Sequence, residues 1–326
     1  MGPRTLRGKP RVSGELDLSV VIPAYDEAES VATLTAELKT VLEARGGQWE
    51  ILFVDDGSRD GTADAIARLA AADPRVKGLS FRRNFGKSAA LATGFRAASG
   101  KLVVTMDADL QDDPAELPKL VAKLDEGYDL VSGWKQNRQD PISKTLPSRL
   151  FNAVTSWVAG VRLHDFNCGF KVYKREVTLA IDVYGEFHRF MPALAHWGGF
   201  RVAEVPVHHR PRKFGRSKFG AARFINGFLD LMSAAFISTS ALKPLHVFGR
   251  IGLLFFLAGS AIGAFFVAQW SFGEPMRVRP LMLIGAGLVI LGIQFVLMGL
   301  LGDMIAHLGS HRIYPERRRY NLGPEA

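Results

Sequence analysis

The sequence predicts an α/β protein: a mostly parallel sheet with helices on both faces, followed by interfacial helices and a two-helix transmembrane hairpin. Two observations carry this prediction. Short apolar runs alternate with amphipathic segments from residue 18 to residue 132, which is the β-α-β-α order of a parallel sheet. Nearer the C-terminus, two segments without a charged residue follow each other, and each is long enough to cross a bilayer.

The first strand, 18–23, is a buried apolar run that ends at a proline. The segment from Tyr25 is predicted to start an amphipathic helix that runs to about Ala44. Glycine, aspartate and serine residues at 55–62 mark a loop between a strand and a helix. The other predicted elements are strands at 51–54, 76–81, 101–106 and 128–132 and helices at 86–98 and 114–125.

An acidic cluster separates the strand at 101–106 from the helix at 114–125. The cluster therefore lies at the carboxyl end of a strand, and open α/β sheets bind their ligands at the carboxyl ends of the strands. Asp107, Asp109 and Gln111 are predicted to alternate along an extended segment and to offer three hard oxygen ligands, which suits Mg²⁺ or Mn²⁺. The neighbouring Asp112 or Asp113 is explained more simply, as a solvated residue that caps the next helix.

Composition narrows the choice of partners. The chain has 41 Lys and Arg against 32 Asp and Glu, which favours anionic partners such as nucleotide phosphates or phospholipid. Basic patches interleaved with aromatic residues do not dominate, so we expect no nucleic-acid partner. No Gly-x-Gly-x-x-Gly follows the first strand and no P-loop is present, which removes the main support for a dinucleotide oxidoreductase or a P-loop NTPase. The single cysteine, Cys168, excludes intrachain disulfides.

A basic loop spans residues 208–218, with five Lys or Arg residues and no acidic residue. It contains a proline and a glycine and lies just before an apolar region. These features favour a loop that grips phosphate or lipid headgroups over one that is merely solvated. His208 and His209 are interpreted as structural, because adjacent histidines without a spaced third ligand indicate a metal site only weakly.

The C-terminal third predicts an integral membrane protein of the inner or plasma membrane. Residues 221–240 suit an interfacial helix, and the charge-free runs 251–273 and 281–302 suit a hairpin that crosses the bilayer. Basic residues are denser outside the hairpin than in its connecting loop, which places the α/β domain and the C-terminus in the cytoplasm. The predicted division is a basic flexible tail at 1–17, an α/β domain at 18–220, interfacial amphipathic helices at 221–245, two transmembrane helices at 246–305 and a basic cytoplasmic tail at 306–326.

Four motifs, in this order, resemble the family 2 glycosyltransferases, whose GT-A fold is Rossmann-like. They are residues 19–27 (Ser-Val-Val-Ile-Pro-Ala-Tyr-Asp-Glu), 54–62 (Val-Asp-Asp-Gly-Ser-Arg-Asp-Gly-Thr), 82–91 (Arg-Arg-Asn-Phe-Gly-Lys-Ser-Ala-Ala-Leu) and 107–112 (Asp-Ala-Asp-Leu-Gln-Asp). Together with the basic Gly-x-Ser-Lys loop and the membrane helices, the set is similar to the polyprenyl-phosphate glycosyltransferases. Dolichyl-phosphate mannose synthase and bacterial undecaprenyl-phosphate glucosyltransferases belong to that group. The resemblance spans residues 18–305.

The resemblance implies roles for individual residues on the donor side. The pocket for the nucleotide base, ribose and phosphates would be lined by Pro23, Tyr25, Glu27, Asp56 and Lys87. Asp107 would face the ribose and the metal, while Asp109 and Gln111 would hold Mg²⁺ or Mn²⁺ on the diphosphate.

On the acceptor side, the resemblance implies that Asp165, in the element 165–171, lies near the sugar and the acceptor. The basic loop would grip the acceptor and donor phosphates through Arg210, Arg212, Ser217 and Lys218. With Asp109, the residues expected to act in catalysis are Asp165, Arg212 and Lys218.

The implied reaction is an inverting, metal-dependent transfer of one hexosyl unit from a UDP- or GDP-hexose to undecaprenyl or dolichyl phosphate at the cytoplasmic membrane face. The departing nucleoside diphosphate needs cations, whereas the acceptor phosphate is already anionic and needs no strong base. The Gln-x-x-Arg-Trp motif of processive synthases is absent, which argues for single transfer. Asp26 stands where asparagine is common in the family, which leaves the selectivity of the base pocket open.

Two alternatives stay open. The acceptor could be a lipid hydroxyl, such as that of diacylglycerol, with Asp165 as the general base. The chain could instead be a catalytically silent membrane scaffold, although a scaffold has no use for a metal site at Asp107 and Asp109. A homo-oligomer or a flippase partner is compatible with the transferase and with both alternatives.

Overall fold

The structure is a computed structural model that describes residues 16–136, 142–210, 231–232, 244–273, 279–307 and 316–320. Its contacts divide the chain into two compact units, and residues 233–312 form the second of them. Some predictions concern residues outside this description: the tail before residue 16, the basic loop beyond residue 210, most of the interfacial segment 221–245 and most of the tail 306–326. The boundaries proposed for these segments stay predictions.

The first unit contains one sheet of eight strands in the order β7-β5-β6-β4-β1-β2-β3-β8. The strands are Leu18–Ala24 (β1), Trp49–Asp55 (β2), Val76–Phe81 (β3), Leu102–Thr105 (β4), Leu130–Lys135 (β5), Lys171–Lys174 (β6), Val202–Val207 (β7) and Glu316–Tyr320 (β8). Only β6 and β8 run antiparallel to their neighbours, so the other six strands point the same way. The predicted mostly parallel α/β sheet is confirmed.

Helices connect the strands. The described residues include the α-helices Val31–Arg45 (α1), Thr62–Ala72 (α2), Lys87–Ala97 (α3), Leu117–Asp125 (α4), Ile142–Ala159 (α5), Arg175–Ala180 (α6), Met191–Trp197 (α7), Pro244–Ser271 (α8) and Pro280–His307 (α9). Short 3₁₀ turns at Pro114–Glu116 and Phe187–Arg189 precede α4 and α7.

The centre of the sheet is buried on both faces. All seven residues of β2 and six of the seven residues of β1 are buried, as expected for parallel strands covered by helices. Helix α3 packs closely on these strands at Gly94, where an added Cβ would lie 2.3 Å from Cγ1 of Val21. The buried centre gives the loops at the carboxyl ends of the strands a rigid base.

The predicted start of the first helix was wrong. Helix α1 begins at Val31 rather than at Tyr25, because residues 25–30 form a loop that hydrogen-bonds to the loop after β2. The segment after residue 165 enters strand β6, which inserts antiparallel between β4 and β5. Its insertion brings the 165–170 loop next to the end of β4.

The second unit contains α8 and α9. Leu245–Ser271 and Pro280–Gly302 are long and apolar enough to cross a membrane, by length and composition. The two helices approach each other through glycines: an added Cβ at Gly259 would lie 2.5 Å from the Gly285 carbonyl oxygen, and one at Gly252 would lie 2.6 Å from that of Gly292. Small residues allow such close backbone contact between membrane helices. The two predicted apolar helices are therefore present and packed together.

Strand β8 follows the helix pair in the chain, yet belongs to the first unit. It pairs antiparallel with β3, with Gly78 opposite Tyr320 and Leu79 opposite Arg319. This strand forms one edge of the sheet. Segments on both sides of the helix pair thus contribute to one sheet.

Candidate functional site

The predicted donor residues lie at one edge of the sheet. Because the carboxyl ends of parallel strands meet there, the loops after β1, β2 and β4 and the start of α3 come together. These segments carry Pro23, Tyr25, Glu27, Asp56, Lys87, Asp107, Asp109 and Gln111.

The loop after β1 is bound to the loop after β2. The main-chain N–H of Asp26 donates to Oγ of Ser58 at 2.9 Å, and Oδ1 of Asp26 accepts from the N–H of Arg59 at 3.0 Å. The N–H of Glu27 donates to Oγ1 of Thr62 at 2.8 Å. Asp26 has a φ of +55°, a left-handed conformation in which asparagine and aspartate are both enriched. The replacement of asparagine by aspartate at this position therefore preserves the loop conformation.

Asp56 links the loop after β2 to the start of α3. It is 4% exposed, and its two carboxylate oxygens accept from the N–H groups of Phe85 and Gly86 at 2.7 and 2.9 Å. Burial raises the pKa of Asp56, although these two hydrogen bonds oppose the shift. Its predicted contact with the nucleotide stays a prediction.

Asp107 lies against a lysine and a glycine. Nζ of Lys87 is 2.5 Å from Oδ1 of Asp107. An added Cβ at Gly169 would lie 2.6 Å from the same oxygen, so only glycine leaves room for the carboxylate in this position. The carbonyl of Gly169 also accepts a hydrogen bond from Oγ1 of Thr105 at 2.7 Å, which ties the 165–170 loop to the end of β4.

A pocket opens at Asp107. Its polar lining includes Lys87, Asp107, Asn167, Lys171 and His188. Lys171 is 2% exposed and donates to the Cys168 carbonyl. Burial lowers the pKa of Lys171, and the nearby charge of Lys87 adds to this shift. The pocket therefore combines one carboxylate with two lysines of different burial.

The segment 107–111 is a turn, so the prediction that it is extended was wrong. Leu110 has a φ of +61°, which is uncommon for a residue other than glycine, and its side chain is buried. The turn lets Oδ1 of Asp109, a residue only 9% exposed, accept the N–H of Gln111 at 3.2 Å. A buried leucine in a left-handed conformation therefore fixes the turn between Asp109 and Gln111.

The side-chain oxygens of Asp107, Asp109 and Gln111 suit a divalent metal ion that also binds phosphate. Among the described residues, no three His, Cys, Asp or Glu side chains are close enough to hold a metal. Mg²⁺ and Mn²⁺ sites that serve phosphate chemistry use one or two carboxylates and take their other ligands from substrate and water. Asp107 and Asp109, with the amide of Gln111, offer a set of this kind. Lys87, paired with Asp107, places a positive charge beside this set.

The two aspartates that follow have different surroundings. Asp113 caps the next turn, as predicted, because its Oδ1 accepts the N–H of Ala115 at 3.0 Å. Asp112 is not solvated: it is 2% exposed, and Nζ of Lys135 lies 3.0 Å from its Oδ1. Burial alone would raise the pKa of Asp112, but the charges of Lys135 and His209 hold it below its usual value. Periodicity could not reveal this pair, because Lys135 lies on β5.

On the acceptor side, Asp165 is buried at 3% exposure, and its Oδ1 accepts the N–H of Asn167 at 3.1 Å. Arg210 forms ion pairs with Glu37 and Asp113. Arg212, Ser217 and Lys218 lie outside the described residues, so their positions beside the site stay predictions.

Sequence reasoning missed Gly169, Lys171, His188 and Lys135 as neighbours of the site. Gly169 and Lys171 belong to the element 165–171, whose likeness to the family was the available signal. Their contact with the end of β4 depends on the antiparallel insertion of β6, which no local pattern encodes.

Comparison with known protein families identifies the class of this protein. The sequence matches Glycosyl transferase family 2 over residues 19–181 and the GtrB C-terminal hairpin over residues 243–308. The chain therefore belongs to glycosyltransferase family 2, and the predicted resemblance is confirmed.

The relatives narrow this class. The chain is 33% identical to a dodecaprenyl-phosphate galacturonate synthase of Rhizobium johnstonii over 307 residues, which are 92% of this chain and 91% of the relative. It is 35% identical to an undecaprenyl-phosphate 4-deoxy-4-formamido-L-arabinose transferase of Salmonella typhimurium over 294 residues, 89% of this chain and 88% of the relative.

Among solved structures, glucosyl-3-phosphoglycerate synthase of Mycobacterium tuberculosis in complex with Mn²⁺ and UDP-glucose has a similar fold. Its TM-score is 0.55 at 22% identity, and the similarity covers 70% of this chain and 82% of that one. The same synthase has also been solved with Mn²⁺, UDP-glucose and phosphoglyceric acid, with a TM-score of 0.54. These likenesses establish the GT-A fold of the sheet.

Proposed function

We propose that this protein transfers one sugar from a nucleotide-diphosphate sugar to a polyprenyl phosphate at the cytoplasmic face of a membrane, with inversion at the sugar carbon. The observation that carries the proposal is the closeness of two chemically matched segments. We call residues 107–113 the acidic turn. The N–H of Arg210, at the start of the basic loop, donates to the carbonyl of Gln111 in this turn at 2.8 Å. A donor diphosphate held at the turn and an acceptor phosphate held by the loop would therefore be neighbours.

The relatives support the acceptor. The galacturonate synthase and the formamido-arabinose transferase are both named for a polyprenyl phosphate, and both match this chain along about nine-tenths of its length. The chain also matches the GtrB C-terminal hairpin over residues 243–308. A membrane hairpin suits an enzyme whose acceptor has its tail in the bilayer.

In the proposed reaction, an oxygen of the acceptor phosphate attacks the anomeric carbon while the bond from that carbon to the nucleoside diphosphate breaks. A divalent ion would neutralise the charge on the departing diphosphate, and Asp107, Asp109 and Gln111 would hold it. The ammonium group of Lys87 is 2.5 Å from the Asp107 carboxylate, so Lys87 would contact the same diphosphate as the metal. Because the attacking oxygen is already anionic, the chain needs no general base.

A lipid hydroxyl is a weaker candidate acceptor. It would need a general base near the acceptor, and the candidate Asp165 is 3% exposed and accepts a hydrogen bond within its own loop. A phosphate acceptor makes no such demand on Asp165.

Transfer assays with the purified full-length protein in detergent test this proposal. Donors should include UDP- and GDP-hexoses, a UDP-hexuronate and a UDP-amino-pentose, and acceptors should include undecaprenyl phosphate, dolichyl phosphate and diacylglycerol. We expect a sugar-phosphate lipid with a β-linkage from an α-linked donor, and loss of that product with Asp109→Ala but not with Asp125→Ala, an exposed aspartate on α4. Transfer to diacylglycerol alone, or no transfer to any phosphate lipid, would contradict the proposal.

A further inference from the structure

The start of the basic loop is fastened to the acidic turn by a set of contacts that the reaction itself does not require. We call this set the clasp, and it consists of Glu37, Asp112, Asp113, Lys135, His209 and Arg210. Its members come from α1, from the turn before α4, from β5 and from the segment after β7. Four parts of the chain thus meet where the basic loop begins.

The backbone forms the first part of the clasp. Asp112 and His209 form an isolated antiparallel bridge, and the N–H of Arg210 donates to the carbonyl of Gln111 at 2.8 Å. Just before the bridge, Nζ of Lys119 lies 2.5 Å from the carbonyl oxygen of Pro206. The segment 206–210 therefore contacts helix α4 at Pro206 and the acidic turn at His209 and Arg210.

A buried ion pair forms the second part. Asp112 and Lys135 lie 3.0 Å apart with side chains 1% and 11% exposed, and Nδ1 of His209 is 3.7 Å from the same Asp112 oxygen. Within the described residues, neither oxygen of Asp112 nor Nδ1 of His209 has a hydrogen-bond partner of good geometry. The contact is therefore held by charge, and removal of one partner would leave the other buried without compensation.

Arg210 forms the third part. Its Nη1 is 2.7 Å from Oε2 of Glu37, and its Nη2 is 2.7 Å from Oδ1 of Asp113. The planar guanidinium thus joins helix α1 to the acidic turn, an arrangement that a lysine could not reproduce. With two carboxylates already bound, Arg210 is suited to anchor the loop, which leaves phosphate binding to the residues that follow it.

We propose that the clasp is a positioning device, which fixes His209 and Arg210, where the basic loop begins, beside the Asp107–Gln111 turn, and so keeps an acceptor phosphate bound by the loop near the donor. Glu37 and Asp112 are then positioning residues that touch neither substrate. The assignment of an acceptor to the loop rests on the proposed function, whereas the fastening of the loop does not.

Limited proteolysis of the full-length protein tests the fastening without any substrate. Trypsin can cut after Arg212, Lys213, Arg216 and Lys218 in the basic loop. Glu37→Gln should raise the rate of cleavage at these sites about three- to tenfold, the effect of losing one hydrogen bond of ordinary net strength, because the pair is partly exposed. The matched control is Glu43→Gln, on the same helix, whose ion pair with Arg75 lies outside the clasp. Equal cleavage rates for Glu37→Gln and the unaltered protein would overturn the proposal.

Kinetics separate positioning from a merely structural role. Glu37→Gln should raise the KM for the acceptor about three- to tenfold, while the melting temperature and the Mn²⁺-dependent affinity for nucleoside diphosphate stay unchanged. Equal losses of donor affinity and thermal stability would instead mean a structural role and would reject the clasp.

The buried pair needs a double variant, because Asp112→Asn alone leaves the Lys135 charge buried and unpaired. Asp112→Asn with Lys135→Met removes both charges and should release the loop to trypsin at least as much as Glu37→Gln does. Unchanged cleavage in the folded double variant would remove the buried pair from the clasp. If the unaltered protein transfers no sugar to any phosphate lipid, the proposed function fails, and the cleavage rates still decide whether the loop is fastened.

Discussion

Gly169 limits where the Asp107 carboxylate can lie, and its replacement by alanine tests the importance of that position. A Cβ on Gly169 would lie 2.6 Å from Cγ and Oδ1 of Asp107 and 2.7 Å from Oδ2. Ordinary contact begins at 3.4 Å, so the carboxylate would have to withdraw by about 0.8 Å, which is 3.4 minus 2.6. Gly169 is not in the left-handed region, so alanine adds no backbone strain.

The expected result is a folded protein with poor activity. The obstructed group is the end of a side chain that can rotate, so Gly169→Ala should shift the melting temperature by no more than about 2 °C. Displacement of a reacting group by about 1 Å can cost about 100-fold in rate, and we expect turnover to fall about 10- to 100-fold. The affinity of the donor complex for Mn²⁺ should fall with it, because Asp107 is a proposed ligand.

The assay is initial-rate transfer to a polyprenyl phosphate, with the affinity for Mn²⁺ and nucleotide measured separately by calorimetry. Gly198→Ala is the matched control, since its added Cβ would lie 3.3–3.4 Å from its nearest neighbours and would displace nothing by more than about a tenth of an ångström. Turnover and Mn²⁺ affinity within about twofold of the unaltered protein would refute the reasoning about Asp107.

Three further predictions concern other parts of the chain. Asp109→Ala should abolish transfer in a folded protein, and EDTA should do the same; full activity in EDTA would reject the metal site. Burial raises the pKa of the Cys168 thiol from 9.0 to about 12, so iodoacetamide should alkylate the folded protein very slowly at pH 8 and the unfolded protein rapidly. Rapid alkylation of the folded protein would contradict this burial. Because the pKa of Cys168 is higher in the folded protein than in the unfolded chain, its stabilising contribution is complete below about pH 9 and is lost as the pH rises towards 12. Gly259→Leu should separate α8 from α9, since even a Cβ there would lie 2.5 Å from the Gly285 carbonyl oxygen, whereas Gly263→Leu, with no atom within 4 Å of its added Cβ, should not; equal cross-linking between the helices in both variants would contradict this packing.

The order of the elements could be predicted from the sequence because it depends on local patterns. Apolar runs between turn residues locate the central strands to within a few residues, and the absence of charge over 23 and 22 residues locates the hairpin helices. The prediction that these side chains lie at the carboxyl ends of the strands is also correct, since Asp56 and Asp107 both follow parallel strands. Roles assigned through the family, such as those of Lys218 and Arg212, stay predictions.

The remaining features depend on contacts between distant segments, which local patterns do not report. Asp112 looks like a solvated cap until β5 brings Lys135 to its side. The segment 107–111 looks extended, but the buried Leu110 turns it through a left-handed conformation. Residues 25–30 look like the start of a helix, but their N–H groups bind Thr62, Ser58 and Asp60 instead. In each case a tertiary contact overrides the local preference.

Strand β8 has a consequence for the synthesis of the protein. The ribosome makes the sheet, then the two apolar helices, and only afterwards residues 316–320, which pair with β3. Until then, the outer edge of β3 presents unpaired backbone groups, which can pair with other chains. The nascent catalytic sheet is therefore completed only after the hairpin has left the ribosome, and a chain that is truncated before residue 316 keeps an exposed edge. A completed sheet therefore implies that both apolar helices have already been synthesised.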